Sequence, residues 1–354
     1  MPKAPGIVLL FIASLLLCGS CRRDSEILDV YEADPLLNNL SFDPPANWPA
    51  PVYSMAGNPL TKPGFVLGRA LFYDPLLSKD NTISCGTCHQ QFTAFAHADH
   101  IVSHGVDGLL GTRNAPGIFN TAWHKSFMWD GGVNHIEVMP LAPITNPVEM
   151  DETMERVVAK LSGNLAYKRL FMDAFGDELI NTRRIFLALT QFMSSMISDQ
   201  SKYDQVMRGE TSFTSDEQEG YKVFQNKCAT CHKEPLFSDF SYRSNGLPVN
   251  PLYKDSGRAH ITSSAADRYR FKVPSLRNIE VTRPYMHDGR FENLIDVLSH
   301  YDSGVSAASL PDSVLMNGIP LTEAEKSDLI SFLNTLTDNA FLKDKKFNEP
   351  RLPR

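Results

Sequence analysis

Two short segments of the sequence carry the residue types needed to bind an iron porphyrin covalently. Each has two cysteines separated by two residues and followed at once by a histidine. The segments contain Cys85, Cys88 and His89, and Cys228, Cys231 and His232. Two thiols at this spacing can add to the vinyl groups of a haem, and the next imidazole can then ligate the iron. We therefore predict two covalently bound haem c groups.

A zinc site and a redox-active dithiol pair are the alternatives for these cysteines. Zinc is usually held by four cysteines, or by two cysteines and two spaced histidines. The two segments could combine into one four-cysteine site, but the histidine after each pair would then be unexplained. The pattern favours haem.

The remaining cysteines, Cys18 and Cys21, lie near the N-terminus, so none is left for a disulfide. Lys3 precedes an apolar run over residues 7–17 that is too short to span a bilayer. This pattern predicts a signal peptide over residues 1–21, with a lipid on Cys21 of the mature protein. An ordinary signal peptide is the alternative, since Cys18 stands where lipoprotein signals usually have leucine. Either leader predicts a periplasmic protein, and lipidation would anchor it to the membrane.

Length and composition limit the possible classes of protein. The chain has 354 residues, which favours two domains, and its 42% hydrophobic and 21% charged residues are typical of soluble globular proteins. The net charge of −7 argues against nucleic acid and anionic membrane surfaces as main partners. A basic redox partner is compatible with this charge.

A repeated pattern indicates which elements position the two haem segments. Residues 68–72 and residues 220–224 both read Gly-x-x-x-Phe, and each precedes one of the haem segments. Thr214 and Glu217 have capping-box spacing at the start of the second predicted helix. We interpret the repeat as an internal duplication of a small helical haem domain, with a longer insertion before the first segment.

The rest of the chain also favours helices. Residues 151–207 show helical periodicity, and Thr322 with Glu325 forms a second capping box before an amphipathic helix. Strand signals are few and short. The expected fold class is all-α, with two cytochrome c-type haem domains related by duplication, long loops and little strand.

The predicted domain boundaries follow from these patterns. Residues 22–60 are rich in Pro, Asn and Asp and are predicted to form a linker and an N-terminal wrap. Residues 61–212 form the predicted N-terminal domain, and residues 213–345 form the C-terminal domain. Long loops over residues 90–120 and 235–275 are expected to border the haem edges.

Five motifs in a fixed order resemble those of the bacterial dihaem cytochrome c peroxidase and MauG superfamily. They span residues 112–116, 127–132, 142–150, 271–278 and 282–289. The resemblance extends from about Gly64 to about Leu336. It implies that hydrogen peroxide reacts at the N-terminal haem, that electrons enter at the C-terminal haem, and that a calcium ion lies between the domains.

The resemblance also implies roles for individual residues. Glu149 falls on the family's distal glutamate, which moves a proton between the peroxide oxygens. Trp129 falls on the tryptophan between the haems, and Pro143 on the proline beside the distal pocket. The family's calcium ligands correspond to the side chain of Asn114 and the backbone oxygens of Thr282 and Pro284. Ligation by oxygen alone suits a hard cation.

The sequence departs from the family pattern at two positions. Met139 replaces a distal glutamine that many relatives have, so a polar contact is lost. The peroxidases ligate the C-terminal haem with a methionine fourteen residues after the histidine that matches His287, where this chain has Tyr301. MauG-like members have a ligating tyrosine there. We predict Tyr301 as the ligand, with Met286 as the alternative.

The distal ligand of the N-terminal haem is also open. Relatives in the resting state often place a histidine there, and His97, His100 and His104 are the candidates. None is in strict register with that ligand. We predict an open, five-coordinate haem, with His104 as the alternative.

Three functions follow from this reading. The first is a peroxidase that reduces hydrogen peroxide with electrons from a small cytochrome c or a cupredoxin. The second is a MauG-like oxidase of a protein substrate, which Tyr301 favours. The third is a plain dihaem electron carrier with no open haem. A homodimer is a further expectation from the family.

Overall fold

The computed structural model describes residues 35–98 and 100–353. The predicted signal peptide and Cys21 lie outside the described residues. Within these ranges the α-helices are α1 Lys62–Tyr73, α2 Cys85–Cys88, α3 Leu141–Thr145, α4 Met154–Ser162, α5 Leu165–Phe175, α6 Thr182–Ser194, α7 Lys202–Met207, α8 Ser215–Lys227, α9 Ala259–Thr262, α10 Leu294–Ser299, α11 Glu323–Asn334 and α12 Asn339–Leu342. The strands are β1 Tyr242–Arg243 and β2 Phe271–Lys272.

Strand content is small, as expected for an all-α protein. Strands β1 and β2 form one two-stranded antiparallel sheet in which Tyr242 lies opposite Lys272. Helices and irregular loops account for nearly all other described residues, so the predicted fold class is confirmed. No helix in the described part of the chain is both long and apolar enough to cross a membrane.

The first hydrophobic core forms where α1 crosses α6. Gly68 of α1 faces the backbone of α6 so closely that a β-carbon would overlap the carbonyl oxygen of Ala188 and press on Phe192. Phe72, one helical turn later, is fully buried in this core. The missing side chain at Gly68 is therefore what allows the two helices to touch backbone to backbone.

The second core repeats this crossing with α8 and α11. A β-carbon on Gly220 would overlap the carbonyl oxygen of Asp328 and press on Phe332. Phe224, again one turn later, is fully buried. The Gly-x-x-x-Phe repeat thus has the same packing role in both halves, which confirms the duplication.

Both helices of the second crossing begin with the predicted capping boxes. The Thr214 amide donates to Glu217 Oε2 (2.7 Å), and the Glu217 amide donates to Thr214 Oγ1 (3.4 Å). The same pair of bonds joins Thr322 and Glu325 at 2.9 and 3.2 Å. These bonds satisfy amides that the first helical turn leaves unpaired, and they fix where each helix begins.

Segments near both ends of the described chain pack in the first core. Leu37 near the start of the described chain is buried there, together with Phe341 and Phe347 from the C-terminal segment. Trp48 and Tyr53 join a separate apolar cluster that contains Trp123. The boundaries at residues 61–212 and 213–345 stay a prediction.

The helix crossings generate a stability prediction. Gly68→Ala and Gly220→Ala should each lower the free energy of unfolding by about 1–3 kcal/mol or more, because the new methyl group meets a backbone carbonyl that cannot rotate away. Gly57→Ala is the control, since no atom lies within 4 Å of a β-carbon built there. Urea unfolding monitored by circular dichroism measures the difference. A core variant as stable as the control would contradict the close crossing.

Candidate active site

The first haem segment presents an imidazole with one nitrogen already engaged. Helix α2 spans Cys85–Cys88, and His89 follows it. The His89 Nδ1 lies 2.6 Å from the carbonyl oxygen of Phe95, a fully buried residue. If Nδ1 donates this bond, Nε2 is left unprotonated and can ligate a metal.

The second segment repeats this arrangement. His232 Nδ1 lies 3.1 Å from the carbonyl oxygen of Phe237 and 3.2 Å from that of Pro274. Phe95 and Phe237 both have a left-handed backbone, with φ of 58° and 53°. In both halves a buried phenylalanine therefore turns its carbonyl toward the histidine and orients the ring.

The cysteines fit covalent haem attachment better than the alternatives. Burial raises the pKa of Cys85 to about 12 and that of Cys88 to about 11, whereas a reactive dithiol pair needs a thiolate. Cys85 packs against the first core and Cys228 against the second, so the two pairs do not share one four-cysteine site. Two thiols and a free imidazole nitrogen at each place match the donor set of haem c.

A cavity of about 870 Å³ adjoins the first segment, a volume typical of cofactor sites. Its wall contains the three predicted haem-binding residues Cys85, Cys88 and His89. The residues that the resemblance places on the distal side, Met139, Pro143 and Glu149, line the same cavity. Trp129, predicted to lie between the haems, lines it too. The structure thus brings these residues to one site.

Glu149 is held at the cavity wall by the segment that follows the first haem motif. Ser103 Oγ donates to Glu149 Oε1 at 3.4 Å, and the Val106 amide donates to the Glu149 carbonyl oxygen at 2.8 Å. Gly105 lies so close that a β-carbon would overlap the Glu149 backbone. Burial raises the pKa of Glu149, while hydrogen bonds from Ser103 and Asn146 partly oppose this shift. A carboxyl group whose pKa is raised above the usual glutamate value is better suited to both accept and donate a proton than an exposed one.

Trp129 connects the two halves of the molecule. Its indole Nε1 donates to the carbonyl oxygen of Asn114 (2.8 Å), and its own carbonyl accepts from the amide of Lys272 on β2 (2.7 Å). The ring also lines the cavity. The Trp129 side chain therefore lines the cavity of the first haem segment, while its backbone carbonyl is hydrogen-bonded to the second half.

The predicted calcium ligands share a wall of the cavity. Asn114, Thr282 and Pro284 all line it, and Asn114 is buried. The side-chain nitrogen Nδ2 of Asn114 donates to the carbonyl oxygen of Ile101 at 3.2 Å, so the side-chain oxygen of Asn114 stays available as an acceptor. If calcium binds here, one amide oxygen and two carbonyl oxygens would supply part of the six to eight oxygen ligands that it takes.

Two turns of the same geometry occur in the two halves. Met128 and Met286 each have a left-handed backbone, with φ of 65° and 73°. Each turn is closed by an antiparallel bridge, from Phe127 to Val133 and from Tyr285 to Phe291. Trp129 and His287 therefore occupy equivalent positions.

The residues fourteen positions after this pair differ in their chemistry. Counting from Trp129 leads to Pro143, whereas counting from His287 leads to Tyr301. A proline side chain has no donor atom for a metal, but a phenol oxygen is a hard anionic ligand once deprotonated. At equivalent positions, the first half therefore has Pro143, which cannot ligate iron, and the second half has Tyr301, which can.

Tyr301 lies beside the second haem segment, in a π-helical turn over His300–Gly304. Burial raises the pKa of Tyr301 to about 12, a hydrogen bond from Asn245 opposes this, and the nearby Cys231 adds to the rise. The same Asn245 side chain donates to the sulfur of Met286 (3.4 Å). Both candidate ligands therefore contact the same side-chain amide.

The three histidines considered as distal ligands lie together. Of these, His104 lines the cavity, and its ring centre is 4.3 Å from that of His100 and 5.4 Å from that of His97. The imidazoles therefore contact one another. Neither the sequence spacing nor the resemblance indicated this cluster.

An ion-pair network that the sequence did not predict joins the two halves. Arg113 Nη1 lies 2.6 Å from Asp130 Oδ2, and its Nε lies 2.6 Å from Asp255 Oδ2. Arg113 and Asp130 belong to recognised motifs, but Asp255 lies in a long loop without a periodic pattern. Both carboxylates are almost fully buried.

Comparisons with known proteins show the family of this chain. A family model described as di-haem cytochrome c peroxidase matches residues 62–212. The chain is 37% identical over 287 residues to the methylamine utilization protein MauG of Methylorubrum extorquens, with 79% of each protein covered. It is 34% identical over 297 residues to the cytochrome c551 peroxidase of Nitrosomonas europaea, covering 81% of this chain and 82% of that protein. This chain belongs to the di-haem cytochrome c peroxidase family.

A solved structure gives the same result for the fold. A MauG-like protein associated with microbial copper homeostasis superposes with a TM-score of 0.81 at 31% identity, over 88% of this chain and 99% of that one. Membership of the di-haem family implies two haem groups, which accounts for both Cys-x-x-Cys-His segments. The resemblance recognised in the motifs is confirmed.

The Arg113 network generates a prediction for this family member. Arg113→Ala should lower the free energy of unfolding by about 3 kcal/mol, because it leaves two buried carboxylates without their counter-charge. Lys222→Ala is the control, since it removes an exposed pair with Glu219 that is worth about 1 kcal/mol at most. Urea denaturation of both variants measures the difference. Equal effects would show that the network contributes no more than a surface ion pair.

Proposed function

We propose that the chain is a periplasmic peroxidase that reduces hydrogen peroxide to water. The overall reaction takes one peroxide molecule, two protons and two electrons, and releases two water molecules. The observation that supports this most is Glu149, a half-buried carboxyl group in the wall of the cavity that also contains Cys85, Cys88 and His89. Peroxide reduction needs such a group, because a proton must leave one oxygen and reach the other.

The haem supplies the redox-active iron, and the residues of the chain supply protons and access. Glu149 would accept the proton from one peroxide oxygen and deliver it to the other, which departs as water. Ser103 and Val106 keep the carboxyl group in place. Pro143 and Met139 bound the same cavity without offering a hydrogen-bond donor from their side chains, so they would limit water near the reacting oxygens.

Electrons would reach this site from the second haem segment. Trp129 is bonded to both halves and lines the cavity, which suits a relay between the haems. The donor that we propose is a small cytochrome c or a cupredoxin. Calcium at Asn114, Thr282 and Pro284 would fix the position of the first half relative to the second.

A MauG-like oxidation of a protein substrate is the second candidate. Tyr301 beside Cys231 favours it, because a phenolate ligand stabilises higher oxidation states of iron than methionine does. The 37% sequence identity to a methylamine utilization protein also favours this oxidation. A steady-state assay with reduced cytochrome c separates the two candidates, because turnover supports the peroxidase and its absence favours the oxidase.

Export and anchoring are further parts of the proposal. The N-terminal sequence favours a leader over residues 1–21 and a lipid on Cys21. Haem attachment at two Cys-x-x-Cys-His segments suits a protein that works outside the cytoplasm. A homodimer stays an expectation.

Glu149→Gln should reduce peroxide turnover by at least about a hundredfold, since an amide cannot shuttle a proton. Glu155→Gln is the control, because Glu155 is exposed and lies at the start of α4. Turnover is measured with reduced cytochrome c, and pyridine haemochrome spectra check that both haems stay attached.

The same assay tests the pH dependence. The raised pKa of Glu149 means that its carboxylate is lost at a higher pH than that of an ordinary glutamate. As pH falls, kcat/KM should therefore decline through an acid limb above the usual glutamate pKa of 4.5. Full activity in Glu149→Gln, or no acid limb, would contradict the proposed proton shuttle.

A matched pair of variants tests the second haem ligand. Tyr301→Phe should change the ferric low-spin spectrum and raise the reduction potential of the second haem, because loss of a phenolate destabilises ferric iron. Met286→Leu should leave both unchanged. Ferric absorption, electron paramagnetic resonance and a redox titration measure this. The reverse pattern would assign the ligand to Met286.

A further inference from the structure

His97, His100 and His104 bring three imidazoles together next to the first haem site. One nitrogen from each ring lies within 4.8 Å of the other two. His97 is buried, His100 is exposed and His104 is intermediate. Within residues 35–98 and 100–353, this is the only group of three or more His, Cys, Asp or Glu side chains arranged so that a single ion could be held.

The spacing of the nitrogens is close to that of a metal site. Zinc–imidazole bonds of 2.0–2.1 Å place tetrahedral ligand atoms about 3.3 Å apart. His97 Nε2 and His100 Nδ1 are 3.0 Å apart and hydrogen-bonded, so an ion that binds both would displace the proton they share. Ring centres in the cluster are 4.3–5.4 Å apart. A small movement of the His104 ring would complete a three-nitrogen face.

Backbone contacts hold this segment in place without a metal. The Ser103 amide donates to the Arg113 carbonyl oxygen (2.9 Å), and the Gly111 amide donates to the Ser103 carbonyl oxygen (2.8 Å). The Asn114 side chain donates to the Ile101 carbonyl oxygen (3.2 Å). A site whose backbone is already fixed loses less conformational freedom when it binds an ion.

We propose that His97, His100 and His104 form a mononuclear site for a borderline divalent cation, such as Zn²⁺ or Cu²⁺. Imidazole nitrogens suit these ions, whereas calcium takes oxygen ligands, so this site and the calcium position select different metals. The exposed His100 side leaves the fourth position open to water or a solute. In this arrangement all three imidazoles ligate the cation, and His104 does not ligate the haem iron.

The site is connected to Glu149 through the same segment. Ser103 precedes His104 and donates to the Glu149 carboxylate, and Val106 donates to the Glu149 backbone. A bound ion would therefore also restrict the residues that hold this carboxyl group. This consequence rests on the proposed function, whereas the binding of the ion does not.

Metal titration of the holoprotein tests the proposal. The protein is purified without a histidine tag and kept in excess calcium, and Zn²⁺ is added in a calorimeter. One equivalent of Zn²⁺ should bind, and Cu²⁺ should give an electron paramagnetic resonance signal with nitrogen hyperfine splitting. His100→Ala should weaken binding at least about tenfold. His260→Ala, which removes an exposed histidine outside the cluster, should not change it.

Because His100 is exposed, its replacement should leave the fold and both haems intact, as circular dichroism and the haem spectrum can verify. Binding that is absent, or that is equal in the wild type, His100→Ala and His104→Ala, would overturn the proposal. A change of the first haem from low spin to high spin in His104→Ala would also overturn it, since His104 would then be an iron ligand. None of these readouts requires peroxide turnover, so they are independent of the proposed peroxidase.

Discussion

The structure depends on two helix crossings that allow no side chain at the point of contact. Gly68 meets the backbone of Ala188, and Gly220 meets that of Asp328. A crossing this close fixes the position of each first helix against its core. In the second half, α8 ends at Lys227, immediately before Cys228, so the crossing positions the second haem segment directly. In the first half the chain takes a longer path to Cys85, but the packed phenylalanine and the cysteine still join one core.

The repeated scaffold supports two unequal sites. The rings of His89 and His232 are each oriented by the carbonyl of a phenylalanine with left-handed backbone, and both halves contain the same tight turn. The difference arises after the turn, where the first half has Pro143 and the second has Tyr301. The proline ring has no atom that can ligate iron, so it would leave the sixth position of a haem open, whereas a phenol oxygen could occupy that position. The proposed division into one reacting iron and one relay iron follows from this replacement.

Much of the fold could be predicted because its signals are local. The haem segments, the capping boxes at Thr214 and Thr322 and the Gly-x-x-x-Phe repeat each depend on residues within one or two helical turns. The pairing of Arg113 with Asp255 and the contact of Asn245 with Met286 depend on how long irregular loops fold back. The histidine cluster is local, but it lies in a loop whose turns no periodic pattern predicts. Such loops have no periodicity to read, so the sequence could name these residues but not bring them together. The roles of Glu149, Trp129 and the calcium ligands stay predictions.

We propose that the two haem sites differ in coordination and reactivity, and one experiment tests this directly. The absorption and electron paramagnetic resonance spectra of the ferric protein are recorded before and after one equivalent of hydrogen peroxide. We expect one high-spin, five-coordinate haem and one low-spin, six-coordinate haem at rest, and a prompt spectral change on addition of peroxide. Two low-spin haems that do not respond to peroxide would contradict it and would identify the protein as a plain electron carrier.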